Sequence, residues 1–198
     1  MKANVDLLAL VTELQALDRL PRTGYAMRGV AQPESLAEHG FHVAVLAWAL
    51  ALDEPGLDRL RVLELALVHD LAEVRMGDLP APSGRYLPRQ HKVAGELAAA
   101  VEILAPLGSG ASDLLAEYQA AETREAKFVV ACDKLQLLLK STTYLRWGYP
   151  AVAEIVDALT PFPDGGFASV RTLAEQVLRN AADLRESKSG LPDRVRKC

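Results

Sequence analysis

Residues 60–73 read LRVLELALVHDLAE. Leu60, Leu63, Leu67, Val68 and Leu71 recur at the three- and four-residue spacing of one helical face. This predicts a helix that follows the Glu54-Pro55-Gly56 turn and is closed by Gly77, with Pro80 and Pro82 beyond. Within it, His69 and Asp70 stand side by side among Leu, Ala and Val. Desolvating an imidazole, and above all a carboxylate, is costly without a compensating partner. A cation is one such partner.

The same periodicity extends on both sides. Leu7, Leu8, Val11, Leu14 and Leu17 predict a first helix ending near Leu20, before Pro21 and Gly24. The next begins after Pro33, where Ser35 and Glu38 have the spacing of a capping box, and runs to about Leu52. Further helices are predicted at 88–105, 112–119, 123–146 and 166–185, separated by turns at Leu107-Gly108-Ser109-Gly110, at Gly148 and Pro150, and from Pro161 to Gly166. No segment reads as a strand. The expected fold class is all-α, a single helical bundle of about six to eight helices over residues 1–185. The polar segment 186–198 offers little apolar surface to offset the entropy of ordering it and is expected to be a mobile tail.

The chain has 198 residues, half of them apolar, enough for one substantial core. With 22 basic against 26 acidic residues it carries a net charge of −4, and no block of Lys or Arg supplies a nucleic-acid footprint. A small molecule is therefore the expected partner, with no nucleic acid and no membrane. Cys132 and Cys198 show neither zinc-ligand spacing nor a disulfide framework, the N-terminus lacks a signal-type apolar region, and no apolar run reaches spanning length. Cytoplasmic localisation is expected.

His39, one turn past the Ser35 cap, and Asp133, in Phe128-Val129-Val130-Ala131-Cys132-Asp133, place further polar groups in apolar helices. Imidazole and carboxylate are good ligands for first-row divalent ions, and three or four of them leave positions open for water and a substrate oxygen. Any one of these residues alone is more often an ordinary core or cap residue; the constellation is what points to a metal. Glu73, four residues after His69, puts a carboxylate that is not a ligand on the same helical face, where it could orient or deprotonate water, although a solvated helix-end glutamate reads the same way. Asp78 could equally be a turn residue. His42 and His91 have no other residue pointing to them.

Together these pieces resemble the HD-domain metal-dependent phosphohydrolases, whose signature is a histidine, a His-Asp doublet and a distant aspartate, here His39, His69-Asp70 and Asp133. The chain is most similar to the 5′-deoxynucleotidase branch, of the HD domain-containing protein 2 type. Pro21-Arg22-Thr23-Gly24-Tyr25, Pro33-Glu34-Ser35, Glu38-His39, Leu67-Val68-His69-Asp70, Glu73, Gly77-Asp78 and Glu125-Ala126-Lys127-Phe128 carry the likeness over about residues 7–146. The resemblance implies that the four ligands hold manganese, cobalt or another transition ion and that Asp78 contacts the sugar 3′-hydroxyl. It also implies that Arg22 and Tyr25 bind the nucleotide, although Tyr25 stands where Trp is commoner and Arg19 or Arg28 could replace Arg22. Glu73 would assist water, or would join Asp78 in holding a second ion such as magnesium. A homodimer is implied as well.

The expected activity is release of phosphate from (deoxy)nucleoside 5′-monophosphates, by in-line attack of water on phosphorus with Glu73 handling the proton and Arg22 clamping the phosphate. Its rivals are an HD phosphohydrolase acting on a cyclic nucleotide, a nucleoside triphosphate or a guanosine polyphosphate alarmone, a nucleotide-binding regulator without turnover, and a structural helical module.

Overall fold

A computed structural model describes the backbone of residues 2–108 and 110–189 and the side chains of 6–108 and 110–184. In chain order the α-helices are α1 (Lys2–Leu14), α2 (Thr23–Ala26), α3 (Leu36–Leu50), α4 (Arg59–Val68), α5 (Glu73–Met76), α6 (Arg89–Ile103), α7 (Ala111–Ala120), α8 (Arg124–Arg146), α9 (Ala153–Ala158) and α10 (Ala168–Ser189). The described residues contain no strand, only one isolated antiparallel bridge between Pro21 and Ser35. The fold is all-α. Seven of the helices have ten residues or more, and the three short ones, α2, α5 and α9, are single turns or little more, which periodicity cannot register.

Helix α8 is the axis of the bundle. It packs against α3, α4, α7, α9 and α10, so it is apolar on nearly every side. Val43 and Ala47 of α3, Val62 and Leu65 of α4, and Phe128 and Leu135 of α8 meet in one core, where small residues such as Ala47, Ala66 and Ala131 let the helices approach closely. A second cluster, built on Leu10, Ile103, Leu104 and Leu115, joins α1, α6 and α7.

Two elements differ from the sequence reading. The helix through the His69-Asp70 doublet is not continuous: α4 stops at Val68 and α5 starts at Glu73. Between them the backbone tightens to three-residue bonds, from Leu71 N–H to Val68 O and from Glu73 N–H to Asp70 O. His69 and Asp70 thus fall where regular α-helical bonding gives way to a tighter turn of the 3₁₀ type. At the other end of the chain, α10 continues to Ser189, past the end expected at 185. The segment expected to be mobile is therefore helical from 186 to 189, and 190–198 lie outside the described residues.

The start of α3 is capped on both sides. Ser35 Oγ accepts the Glu38 N–H at 3.1 Å, and the Glu38 carboxylate accepts the Ser35 N–H at 2.7 Å. The segment before it is clamped antiparallel to residues 20–22, through Arg22 N–H to Glu34 O and Leu36 N–H to Leu20 O, each 2.9 Å. The cap therefore holds both His39 and Arg22 in place. Ser35→Ala is expected to lower unfolding free energy by about 1 kcal/mol, with Ser35→Thr close to wild type, measured by denaturant titration.

Candidate metal centre

His39 projects from α3, His69 and Asp70 from the end of α4, and Asp133 from the middle of α8. His39 is 0% exposed. One ligand atom from each of His39, His69 and Asp70 lies within 4.8 Å of the others. His39 Nε2 is 3.3 Å from His69 Nε2, 3.4 Å from Asp70 Oδ2 and 3.2 Å from Asp133 Oδ1, and His69 Nε2 is 3.2 Å from Asp70 Oδ2. His42 and His91 stand outside the cluster, both exposed.

The far nitrogens of the two imidazoles decide what the near ones present. His69 Nδ1 is 2.8 Å from the Ala66 carbonyl, which only accepts, so Nδ1 carries the proton. His39 Nδ1 is 2.7 Å from the amide oxygen of Gln136, again an acceptor. In their neutral form, these rings turn Nε2 lone pairs toward each other and toward two carboxylates. Acceptors gathered this closely need positive charge among them, a proton or a metal ion, and two imidazoles with the Asp70 carboxylate, and Asp133 Oδ1 3.2 Å from His39, are a donor set suited to a divalent transition ion.

Charge in the site is arranged to match. Burial opposes ionisation of Asp70, yet His69, His39 and Arg22 hold its carboxyl well below the usual carboxylate range. Burial likewise opposes ionisation of Asp133, which Lys134, with Nζ 2.8 Å away, and the two imidazoles keep well below it. Burial works against the His69 cation too, but Asp70 and Asp133 raise its pKa in the protein without an ion. Glu73 shifts the other way. Burial first, then the charges of Asp70 and Asp78, push its carboxyl up to about 9, against the weaker pull of Arg22 and Lys92. Its Oε2 has no hydrogen-bond partner among the described residues.

A cavity of about 570 Å³ opens over the cluster, lined by Arg22, Asp70, Glu73, Asp78, Lys92 and Asp133 among others, a size that accepts a mononucleotide. Arg22 Nη1 lies 3.3 Å from Asp70 Oδ2 and 3.5 Å from Asp78 Oδ1. Burial alone would weaken its charge, but Asp70, Asp78, Asp133 and Glu73 raise its pKa above the ordinary value. Asp78 Oδ2 accepts the Thr23 N–H at 2.5 Å, and the Asp78 carbonyl accepts the Thr23 hydroxyl at 2.9 Å, which ties the loop after Gly77 to the Arg22 segment. Tyr25 is 1% exposed, and its hydroxyl faces Leu137 O at 3.0 Å and Ser141 Oγ at 3.2 Å, so it forms the cavity wall from within. Arg28 lines the cavity, whereas Arg19 is exposed outside it.

Part of the cavity lining went unread in the sequence. There Lys92 Nζ sits 3.2 Å from Glu96 Oε1 and 3.7 Å from Glu73 Oε1, and Gln119 donates to Glu96 Oε2 at 2.7 Å. Gly95 leaves room for Met76, whose Cε would lie 2.9 Å from a β-carbon there, so α6 lies close to α5. The four-residue spacing of Lys92 and Glu96 was visible, but not the helix it would face. Tyr118, edge-on to His69 with centroids 5.4 Å apart and its hydroxyl 3.4 Å from Asp133 Oδ2, left no sequence signal.

The HD domain family matches residues 14–156. This chain belongs to that family. It is 32% identical over 148 residues to 5′-deoxynucleotidase hdd1 of Schizosaccharomyces pombe, covering 70% of this chain and 74% of the relative. It is 36% identical over 132 residues to human 5′-deoxynucleotidase HDDC2, covering 65% of this chain and 63% of that protein, so it spans just under two thirds of the human relative. Among solved structures, a conserved hypothetical protein of Pyrococcus furiosus superposes with a TM-score of 0.76 at 30% identity, over 87% of this chain and 99% of that one. A predicted metal-dependent phosphohydrolase of Magnetospirillum magnetotacticum does so with 0.73 at 25% identity, over 93% and 98%.

Because folding raises the Glu73 pKa from 4.5 to about 9, the folded protein holds a proton there that the unfolded chain releases, and stability falls as pH rises through that window. In chelator, melting temperature is expected to drop from pH 5 to pH 9, and Glu73→Gln, which carries no charge to desolvate, is expected to flatten the slope and melt higher than wild type at pH 8. Parallel slopes for the two proteins would show that Glu73 is not the group responsible.

Proposed function

We propose that this HD-domain protein is a metal-dependent phosphohydrolase that releases phosphate from nucleoside 5′-monophosphates, deoxyribonucleotides included. The observation that carries this reading is the buried set of acceptors at the floor of a nucleotide-sized cavity, with Arg22 beside it. The names of the relatives in S. pombe and human support the same substrate class.

His39, His69, Asp70 and Asp133 would hold the ion. When bound, a divalent ion of the manganese or cobalt type supplies positive charge to the phosphate and acidity to the attacking water. Arg22 adds a guanidinium suited to phosphate oxygens, and Lys92 brings a second positive charge to the same cavity. Glu73, 4% exposed and with one oxygen unpartnered, would be ionised beside the positive charge of a bound ion and would take the proton of the water that attacks phosphorus in line; the P–O5′ bond breaks, O5′ takes up a proton from solvent, and nucleoside and phosphate leave. Asp78 keeps a carboxylate oxygen near the cavity for a sugar hydroxyl. Tyr25 supports the nucleotide pocket through its packed ring.

Glu73 and Asp78 could instead hold a second ion, such as magnesium. Arg22 already places positive charge between Asp70 and Asp78, and this favours Glu73 as proton acceptor.

Two copies of the chain pair through α3. Phe41, Val45, Trp48 and Leu52 repeat at helical spacing on one face, and Phe41 and Trp48 are 65% and 54% exposed, an apolar stripe of the kind that marks an interface. Leu67 of α4 shares with Phe41 the lining of a second cavity of about 250 Å³. No described helix is long and apolar enough to cross a membrane, and Cys132 is buried and unpaired, which suits work on the cytoplasmic nucleotide pool.

Chelator-stripped protein refilled with manganese, cobalt or magnesium is expected to release phosphate from a panel of deoxy- and ribonucleoside 5′-monophosphates. Asp70→Ala should abolish release, and Glu73→Gln should lower kcat by roughly 10²–10⁴-fold. No release from any monophosphate with any ion, alongside turnover of a cyclic or polyphosphate nucleotide, would overturn the substrate class. By light scattering the wild type is expected to be a dimer and Trp48→Glu a monomer. A wild type that stays monomeric at every concentration would overturn the pairing.

A further inference from the structure

His39 reaches beyond the metal cluster into a buried polar chain that the proposed chemistry does not use. Its Nδ1 meets Gln136 Oε1 at 2.7 Å, and Gln136 Nε2 donates to Glu34 Oε2 at 2.9 Å. Lys140 Nζ lies 3.5 Å from the same Glu34 oxygen. Glu34 is 2% exposed and Gln136 is 4% exposed. Glu34 Oε1 has no hydrogen-bond partner among the described residues; His39 Nδ1 lies 3.9 Å from it. A carboxylate kept buried with one oxygen unpaired is costly, so a structural role alone accounts poorly for a charge at this position.

The chemistry of the three groups gives the charge a purpose. An ionised carboxylate only accepts hydrogen bonds, whereas an amide can turn either end to a neighbour. Facing Glu34, Gln136 must present its NH₂ to the carboxylate and therefore its oxygen to His39. An oxygen there requires the His39 proton on Nδ1, which leaves the Nε2 lone pair for the ion. We propose that Glu34 and Gln136 are positioning residues, a carboxylate–amide relay that locks His39 in its metal-binding tautomer. The proposal rests on the metal-centre reading. Helix geometry assembles the relay: Gln136 and Lys140 lie three and seven residues after Asp133 along α8, and Glu34 directly precedes the Ser35 cap of α3. One capped helix start and one helix face thus set both the position and the tautomer of His39.

Glu34→Gln keeps the shape and removes the acceptor-only constraint, so the Gln136 amide is free to turn its NH₂ toward His39. In the ion-free variant at pH 8, ¹⁵N spectra of the histidine rings are expected to show His39 shifting from the Nδ1–H form to a mixture with Nε2–H. Calorimetric titration with manganese or zinc should show affinity falling by roughly 10–100-fold. The swapped pair Glu34→Gln with Gln136→Glu puts the carboxylate directly against His39 Nδ1–H and an amide donor behind it, and is expected to restore both the tautomer and the affinity. An unchanged tautomer and affinity in Glu34→Gln would overturn the relay, as would a folded double variant that recovers neither. Wild-type protein that takes up no ion would overturn the metal centre instead, and the histidine spectra would still decide the relay.

Discussion

Two imidazole nitrogens 3.3 Å apart, each with its proton on the far side of the ring, with the Asp70 and Asp133 carboxylates 3.2–3.4 Å from them, form the constraint on which the rest of this structure depends. Such a group of acceptors is stable only around positive charge. Each neighbouring feature answers to that requirement: the Ala66 carbonyl and Gln136 amide that orient the rings, Lys134 against Asp133, and Arg22 against Asp70.

The helices serve this point through their ends. His39 sits one turn inside the capped start of α3, and His69 and Asp70 fall where α4 gives way to tighter turns. Asp133 lies in the middle of α8, which is packed against helices on most sides. The antiparallel clamp between residues 20–22 and 34–36 ties Arg22 to the same framework.

The cavity above the cluster separates its carboxylates by role. Asp70 and Asp133 are surrounded by nitrogen and stay ionised, whereas Glu73, buried beside Asp70 and Asp78 with Lys92 at 3.7 Å, holds its proton far more tightly. Pairs of acidic groups whose surroundings push their affinities for protons apart are the usual basis of a division between ligand and base. Arg22 and Lys92 both line the opening, and their positive charges suit a dianionic phosphate entering there.

The all-α class, the long helices and the polar residues that stand out in apolar runs were legible in the sequence, because helical periodicity, caps and buried charge leave local signatures. Ser35 with Glu38 announced the start of α3, and His39, His69-Asp70 and Asp133 announced themselves as polar groups where only apolar ones belong. Other features had no local signal. The break after Val68 does not show as a Gly or Pro. That Tyr25 is buried in the cavity wall had no local signal either, since it depends on α8 packing against it. Lys92, Tyr118, Gln119 and the Glu34–Gln136 pair take part only because helices distant in sequence bring them within hydrogen-bonding reach. The sequence by itself determined which residues could carry the chemistry, through the cost of burying charge; the tertiary structure alone decided their partners, tautomers and proton affinities, because these depend on distances between atoms on different helices.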